Sequence, residues 1–215
     1  MKNTVLFDFD GTVADTSQLI IDSWQHTYRT LTGREHDEKE IISTFGEPLH
    51  YSFKNAFPGM DVEKCLNIYR SYQMMQKEER WVIFPGIPEL MRDLKSRDYA
   101  VGIVTSRTRV SCTKGLTAGG IIDYVDAIVC CDDTKVHKPN PEPAFMALEK
   151  LDAKAEDALM IGDTRFDIGC ARNAGIDAVL VSWSISIKPE MVSGAEAADY
   201  IIDKPKELLR VLRQC

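Results

Sequence analysis

Two aspartates separated by one residue follow the first apolar stretch of the chain. Asp8 and Asp10 flank Phe9 and are followed at once by Gly11 and Thr12. Carboxylates at this spacing in extended chain point the same way, and in unlike surroundings one can attack an electrophile while the other transfers a proton. Gly11 lets backbone N–H groups approach an anion. An isolated Asp-x-Asp is more often a surface turn, but here the carboxylates end a buried strand, which favours chemistry.

Polar residues also follow two later apolar stretches. Thr105, Ser106 and Arg107 come after one of them, and a hydroxyl with successive N–H groups at a helix start forms an anion cradle. Ser and Thr are equally common as structural helix caps. Lys138 comes after another stretch, before a proline-rich segment, and is a candidate fixed cation for a phosphate, although a single lysine is more often a solvated surface residue.

A second carboxylate pair follows a fourth stretch. Asp163 ends that stretch, and Asp167 lies one helical turn later on the same side. Taken alone, Asp163 could be a helix cap. Together with Asp8 it would form a site of hard oxygen ligands, which suits Mg²⁺. The combination of all four groups favours a metal site that handles phosphate over four unrelated structural roles.

These residues share a location if the chain folds around a parallel sheet. From residue 81 onward, strand-like apolar runs alternate with helix-like segments, which predicts an α/β fold with a Rossmann-like, mainly parallel sheet covered on both faces. The active site of such a sheet lies at the carboxyl ends of its strands. Residues 16–81 show helical spacing without a strand signal. We predict a core domain of residues 1–15 and 82–215 and an all-helical domain of residues 16–81.

The predicted elements are strands over residues 4–9, 100–104, 127–131, 158–161, 178–181 and 200–202, and helices over residues 17–34, 38–45, 49–57, 61–80, 88–97, 107–118, 141–151, 164–174 and 205–212.

Composition limits the possible partners. The chain has 215 residues, 44% of them hydrophobic, and a formal net charge of −7, which argues against nucleic acid and anionic membranes as partners. No apolar run has the length of a membrane span or a signal peptide. The six cysteines show neither zinc spacing nor a CxxC pair, so we expect reduced, mostly buried thiols in a cytoplasmic protein.

The four motifs, in this order, resemble those of the haloacid dehalogenase superfamily of phosphatases. The matching segments are DFDGT (residues 8–12), VTS (104–106), Lys138 in HKPNP, and GDTRFD (162–167). The resemblance spans most of residues 1–14 and 82–215, and the helical block resembles the cap that many members carry. An aspartate at position 10 favours phosphate esters or anhydrides over carbon–halogen bonds as substrates.

The resemblance implies a role for each motif residue. Asp8 would attack phosphorus and form an aspartyl phosphate, and Asp10 would act as general acid and then general base. Thr105 and neighbouring amides would hold the phosphoryl oxygens, and Lys138 would balance charge. Mg²⁺ would be held by Asp8, the Asp10 carbonyl and Asp163, while Asp167 would orient Lys138 or a metal-bound water. The implied phosphate- or substrate-binding residues are Gly11, Thr12, Thr105, Ser106, Arg107, Lys138, Gly46 and Glu47.

The helical block is expected to set the substrate. Gly46 and Glu47 lie between two predicted helices, in a loop that resembles the substrate-facing loop of phosphoglycolate phosphatases and related pyrophosphatases, although a Gly-Pro loop is also an ordinary connector. The aromatic residues of the block, Trp24, Tyr28, Phe53, Phe57 and Tyr69, are assigned to its own core.

Several functional alternatives stay open. The motifs also fit a β-phosphoglucomutase-like phosphosugar mutase, and a non-catalytic regulator that binds phosphorylated metabolites is the alternative from another class. Phosphoglycolate, pyrophosphate, sugar phosphates and nucleotide monophosphates are all candidate substrates, and the chain could act as a monomer or a homodimer.

Overall fold

The computed structural model describes residues 2–76 and 81–214, and a six-stranded sheet is its central element. In chain order the strands are β1 (Thr4–Phe7), β2 (Ala14–Asp15), β3 (Val82–Ile83), β4 (Ala100–Val104), β5 (Ala127–Val129), β6 (Ala158–Gly162), β7 (Asp177–Val181) and β8 (Tyr200–Ile202). The large sheet has the order β5-β4-β1-β6-β7-β8, and every neighbouring pair is parallel. The predicted Rossmann-like α/β fold is confirmed.

Helices cover the sheet, and four of them lie between β2 and β3 in the chain. They are α1 (Ser17–Thr32), α2 (Glu38–Ser43), α3 (Leu49–Ala56), α4 (Val62–Met75), α5 (Ile87–Lys95), α6 (Arg109–Ala118), α7 (Glu142–Lys150), α8 (Arg165–Ala174), α9 (Pro189–Val192) and α10 (Leu208–Gln214). Within the described residues, no helix is long and apolar enough to cross a bilayer.

The sheet is buried on both faces, which explains why its strands read as continuous apolar runs. Val5 and Phe7 of β1 belong to one apolar cluster, which also contains side chains of α5, α6 and α10. Leu6, between them, belongs to a second cluster that contains side chains of α7 and α8. Because successive side chains of a strand point to opposite faces, β1 joins both halves of the core.

The predicted helical block is observed as helices α1–α4, which we call the cap. Its apolar cluster is separate from the two clusters of the sheet and consists of Ile21, Trp24, Ile41, Phe53, Phe57, Cys65, Leu66 and Tyr69. The ring centroids of Trp24 and Phe53 lie 4.4 Å apart. Four of the five aromatic residues assigned to the cap core belong to this cluster, and the fifth, Tyr28, is partly buried and packs against it. The division into domains 1–15 with 82–215 and 16–81 stays a prediction.

A short antiparallel ribbon joins the cap to the sheet. β2 pairs with β3, with Ala14 opposite Ile83 and Asp15 opposite Val82. Strands of two residues carry no periodic signal, so sequence analysis did not find them.

Other differences lie at element ends. The first strand ends at Phe7 rather than at residue 9, and the helix predicted from residue 107 begins at Arg109. The helix predicted over 61–80 ends at Met75, and its residues 77–80 lie outside the described residues. α9 was not predicted.

Candidate active site

The site lies where the carboxyl ends of three central strands meet. β1 is flanked by β4 and β6, and the chain fills the β4 side of the sheet before it crosses to the β6 side. Such a reversal of strand order opens a crevice that binds ligands in open α/β sheets. Asp8 directly follows β1, Thr105 follows β4 and Asp163 follows β6. The strand ends thus bring together residues that are far apart in sequence.

Lys138 forms a buried ion pair with two of the predicted aspartates. Its Nζ lies 2.9 Å from Asp8 Oδ1 and 2.6 Å from Asp167 Oδ1. It also donates a hydrogen bond to the carbonyl oxygen of Val104 at 3.2 Å. Burial alone would lower the pKa of the lysine, but Asp167 and Asp8 outweigh burial and raise it. The ammonium therefore stays charged beside Asp8.

Asp163 is fixed by two hydroxyl groups. Its Oδ1 accepts a hydrogen bond from Thr12 Oγ1 at 3.3 Å, and its Oδ2 accepts one from Ser184 Oγ at 2.6 Å. Thr12 was predicted to bind phosphate, and its hydroxyl here contacts Asp163. Ser184 was not predicted, although it follows β7 and the strand-end rule applied to that strand would have pointed to it.

The buried carboxylates oppose each other's ionisation. Oxygens of Asp8, Asp163 and Asp167 lie within 4.8 Å of one another. Burial, followed by repulsion from Asp167, raises the pKa of Asp8 well above its usual value. The same two causes raise the pKa of Asp163 to about 7. Lys138 supplies one positive charge to three carboxylates. When all three are ionised, the group has excess negative charge, which a further cation would offset.

The donor set fits Mg²⁺. This ion takes hard oxygen ligands and usually binds through one or two carboxylates together with water and phosphate. Asp8 and Asp163 provide buried carboxylate oxygens, and Gly11 has a φ of +74°, at which a Cβ would overlap the Asp163 carboxylate. The glycine therefore allows the backbone turn after β1 to pass close to this ligand group.

One oxygen of the Asp10 carboxylate accepts two hydrogen bonds. Its Oδ1 accepts hydrogen bonds from Thr16 Oγ1 at 2.6 Å and from Arg107 Nη1 at 2.5 Å. Arg107 also donates to Ser111 Oγ, and its guanidinium lies over the Phe9 ring, 5.3 Å from the centroid. Arg107 was predicted to bind phosphate, whereas here it binds Asp10. Sequence analysis missed Thr16, which has no motif signal of its own.

The predicted anion cradle contains one unpartnered hydroxyl. Thr105 Oγ1 accepts a hydrogen bond from the N–H of Arg107 at 3.2 Å. Ser106 Oγ is buried, and no hydrogen-bond partner for it exists among the described residues. A buried polar group without a partner costs about 1–3 kcal/mol. Ser106 is therefore suited to a polar group of a ligand.

A cavity of about 180 Å³ separates the strand ends from the cap. Its wall on the sheet side includes Asp8, Asp10, Gly11, Ser106, Arg107 and Asp163. Its wall on the cap side includes Ile20, Trp24, Gly46, Glu47, Leu66, Tyr69, Arg70 and Gln73. Four predicted site residues do not line it: Thr12, Thr105, Lys138 and Asp167. Trp24 and Tyr69 thus serve both the cap core and the cavity wall.

The cap loop approaches the start of α8 closely at a glycine. Gly46 has a φ of +82°, and a Cβ there would overlap the side chain of Thr164, the residue before α8. Only glycine adopts this backbone conformation at so close an approach without strain. Glu47 follows it, and its Oε2 accepts a hydrogen bond from Ser52 Oγ at 2.5 Å. Both predicted loop residues, Gly46 and Glu47, also line the cavity.

Comparisons with known proteins identify the family of the chain. The family model of haloacid dehalogenase-like hydrolases matches residues 5–181. The chain is 37% identical over 210 residues to the pyrophosphatase PpaX of Bacillus cereus, covering 98% of this chain and 96% of that protein. A haloacid dehalogenase-like hydrolase of Bacteroides fragilis has a TM-score of 0.89 and 26% identity, covering 97% of this chain and 100% of that one.

A more distant structure shares the fold alone. A β-phosphoglucomutase of Clostridium difficile has a TM-score of 0.82 at 21% identity, covering 100% of this chain and 96% of that one. The fold by itself therefore does not separate a hydrolase from a phosphoglucomutase. The family match, which extends from β1 to β7, and the close sequence relative lead to one conclusion: the chain belongs to the haloacid dehalogenase-like hydrolase family.

Proposed function

We propose that the chain is a Mg²⁺-dependent phosphohydrolase that cleaves a small phosphorylated metabolite through an aspartyl phosphate on Asp8. One observation carries the proposal: Asp8, at the cavity wall, is buried against Lys138 and grouped with Asp163 and Asp167. The relative named a pyrophosphatase supports phosphate esters and anhydrides as the substrate class.

Asp8 acts as the nucleophile. An oxygen of its carboxylate attacks phosphorus, an oxygen–phosphorus bond forms, and the bond from phosphorus to the leaving oxygen breaks. Lys138, whose ammonium is held 2.9 Å from Asp8, offsets the negative charge that gathers when a phosphoryl group approaches a carboxylate. Asp167 keeps the ammonium in place from the other side.

Asp10 transfers the protons. It gives a proton to the leaving oxygen, and later takes one from the water molecule that attacks phosphorus and regenerates Asp8. Thr16 and Arg107 both contact Oδ1 of Asp10. These contacts fix the carboxyl group, and among the described residues no hydrogen bond engages Oδ2, which is therefore the oxygen available for the proton.

The remaining motif residues bind the transferring group. The hydroxyl of Ser106, which has no hydrogen-bond partner among the described residues, holds a phosphoryl oxygen. Mg²⁺ would be held by Asp8, the backbone carbonyl of Asp10, and Asp163. When bound, the ion supplies positive charge to the phosphoryl oxygens. The cap covers the cavity and limits the access of bulk water.

Phosphate release from a panel of substrates tests the proposal. Pyrophosphate, phosphoglycolate, sugar phosphates and nucleoside monophosphates are incubated with the chain and Mg²⁺, beside Asp8→Asn and an exposed control, Asp123→Asn. We expect turnover by the wild type and the control and none by Asp8→Asn. Brief reaction with radiolabelled substrate and acid quenching should leave label only on proteins that retain Asp8.

Two results would contradict the proposal. Full activity of Asp8→Asn would contradict the assignment of Asp8 as the nucleophile. Isomerisation of a sugar phosphate without net release of phosphate would identify a mutase instead.

A further inference from the structure

An arginine of the cap, Arg70, lines the cavity and has no ion-pair partner among the residues that the structure describes. Arg70 lies on α4, is half-buried and lines the cavity together with the catalytic carboxylates. Arg107, the other arginine of the wall, is bound to Asp10 and Ser111. Within residues 2–76 and 81–214, no carboxylate lies at ion-pair distance from Arg70. A half-buried guanidinium without a counter-ion, beside a ligand cavity, is a candidate contact for an anion.

The helix orients this arginine towards the cavity. Leu66, Tyr69, Arg70 and Gln73 all line the cavity, and their spacing of three, four and seven residues places them on one face of α4. Lys64, by contrast, lines a separate groove on the outer side of the cap. The inner face of α4 therefore forms part of the cap-side wall of the cavity.

The inner face of α4 shares the cavity with residues at the carboxyl ends of the strands. The pKa of Tyr69 is raised by burial and then by Asp10, so the phenol lies near the proposed general acid. Arg70 acts on the thiol of Cys131, which follows β5, and opposes the rise in its pKa that burial causes. Arg70 and Cys131 line the same cavity, so Arg70 lies near the carboxyl end of β5.

Four carboxylates share the cavity wall with Arg70. Asp8, Asp10, Asp163 and Glu47 all line the cavity. A substrate with a second negative group, next to the phosphoryl group that is transferred, would be repelled by these carboxylates. A guanidinium on the opposite wall offsets the repulsion and can bind a carboxylate or phosphoryl group through two N–H donors.

We propose that Arg70 binds a second anionic group of the substrate, a carboxylate or a further phosphoryl group, and so selects small bis-anionic phosphate compounds. This inference rests on the proposed function and narrows its substrate class. The cavity volume of about 180 Å³ is below the roughly 300–1,000 Å³ of pockets for larger ligands, which favours a substrate of few heavy atoms.

Matched substrates isolate the second anionic group. Phosphoglycolate and ethyl phosphate differ in that a carboxylate replaces a methyl group, and pyrophosphate and methyl phosphate form a second pair. For Arg70→Gln we expect kcat/KM to fall about 10- to 100-fold with phosphoglycolate and pyrophosphate, the loss of one charged hydrogen-bonding contact. With ethyl and methyl phosphate, kcat/KM should stay within about twofold of the wild type.

Further readouts separate binding from a structural role. The loss should appear mainly in KM, because Arg70 contacts a group that does not react. Arg70→Lys should recover part of the loss, because it restores the charge without the bidentate geometry. Lys64→Gln, on the outer side of the same helix, is the matched control and should change neither substrate pair.

The role of Arg70 and the proposed phosphohydrolase function would be contradicted by different results. An equal loss with charged and neutral substrates, or no loss with either, would overturn the role of Arg70 while leaving the phosphohydrolase intact. A wild-type chain that hydrolyses ethyl phosphate as efficiently as phosphoglycolate would overturn it as well. Absence of phosphate release by the wild type from all four compounds and from the wider panel would instead contradict the proposed function.

Discussion

Removal of one charge from the buried carboxylate group should stabilise the metal-free chain. Asp163 is 1% exposed, and burial and Asp167 raise its pKa from 3.8 to about 7. A shift of this size corresponds to on the order of 4 kcal/mol of unfavourable free energy once the group is ionised. Asparagine has the same shape without the charge, so Asp163→Asn tests this cost directly.

The pH dependence has a defined sign. Folding raises the pKa of Asp163, so the folded chain binds more protons than the unfolded chain between about pH 4 and pH 7. The contribution of this residue to stability therefore falls as the pH rises through that window. Asp163→Asn has no such titration, so its advantage over the wild type should be small at pH 5 and largest at pH 8.

Thermal and urea unfolding in the presence of a chelator measure this effect. Asparagine keeps one oxygen acceptor for Thr12 or Ser184, so about 1 kcal/mol of hydrogen bonding is lost. We expect a net gain of about 2–4 kcal/mol at pH 8, or about 4–16 °C in Tm for a chain of this size. Mg²⁺ should raise the Tm of the wild type and have little effect on the variant.

An exposed substitution of the same chemistry is the control. Asp123→Asn should leave the free energy of unfolding within about 0.5 kcal/mol of the wild type at every pH. The electrostatic reasoning would be refuted if Asp163→Asn were less stable than the wild type in chelator at pH 8, or if the difference between them did not change from pH 5 to pH 8.

Three further substitutions address separate parts of the molecule. Ser184→Ala removes a hydroxyl that holds Asp163, so the Mg²⁺ affinity, measured by titration of Tm, should fall about 10- to 100-fold; an unchanged affinity would contradict this role. Gly46→Val forces a side chain into Thr164, so kcat/KM should fall about 10- to 100-fold in a phosphate-release assay, and wild-type kinetics would show that the loop contact is dispensable. Phe53→Ala empties the cap core and should lower the free energy of unfolding by about 3–5 kcal/mol in urea; a loss below about 1 kcal/mol would contradict tight packing there.

The location of the site could be predicted because its residues follow apolar runs. Asp8, Thr105 and Asp163 each come directly after a strand, and parallel strands bring their carboxyl ends to one edge. The two-faced burial of β1 explains why its sequence gives a clear strand signal. The helical block could be predicted for a similar reason, because its apolar residues recur at helical spacing.

Side-chain partners could not be predicted in the same way. The contact between Arg107 and Asp10 joins residues 97 positions apart, and no periodic pattern records such a pair. Arg70 has the same limitation, because helical periodicity identifies the apolar face of α4 but does not indicate which polar residue of that face will line the cavity. The ribbon of β2 and β3 escaped detection because its strands have two residues each.

The central position of β1 has a consequence for how the chain folds. β1 is made first, yet its neighbours come much later, since Thr4 pairs with Ala100 on one side and with Ala158 on the other. During synthesis at the ribosome, the cap helices, whose contacts are local, can form while the apolar strand that precedes Asp8 still lacks both neighbours. We expect slow completion of the sheet and a period in which residues 4–7 are open to aggregation or chaperone binding.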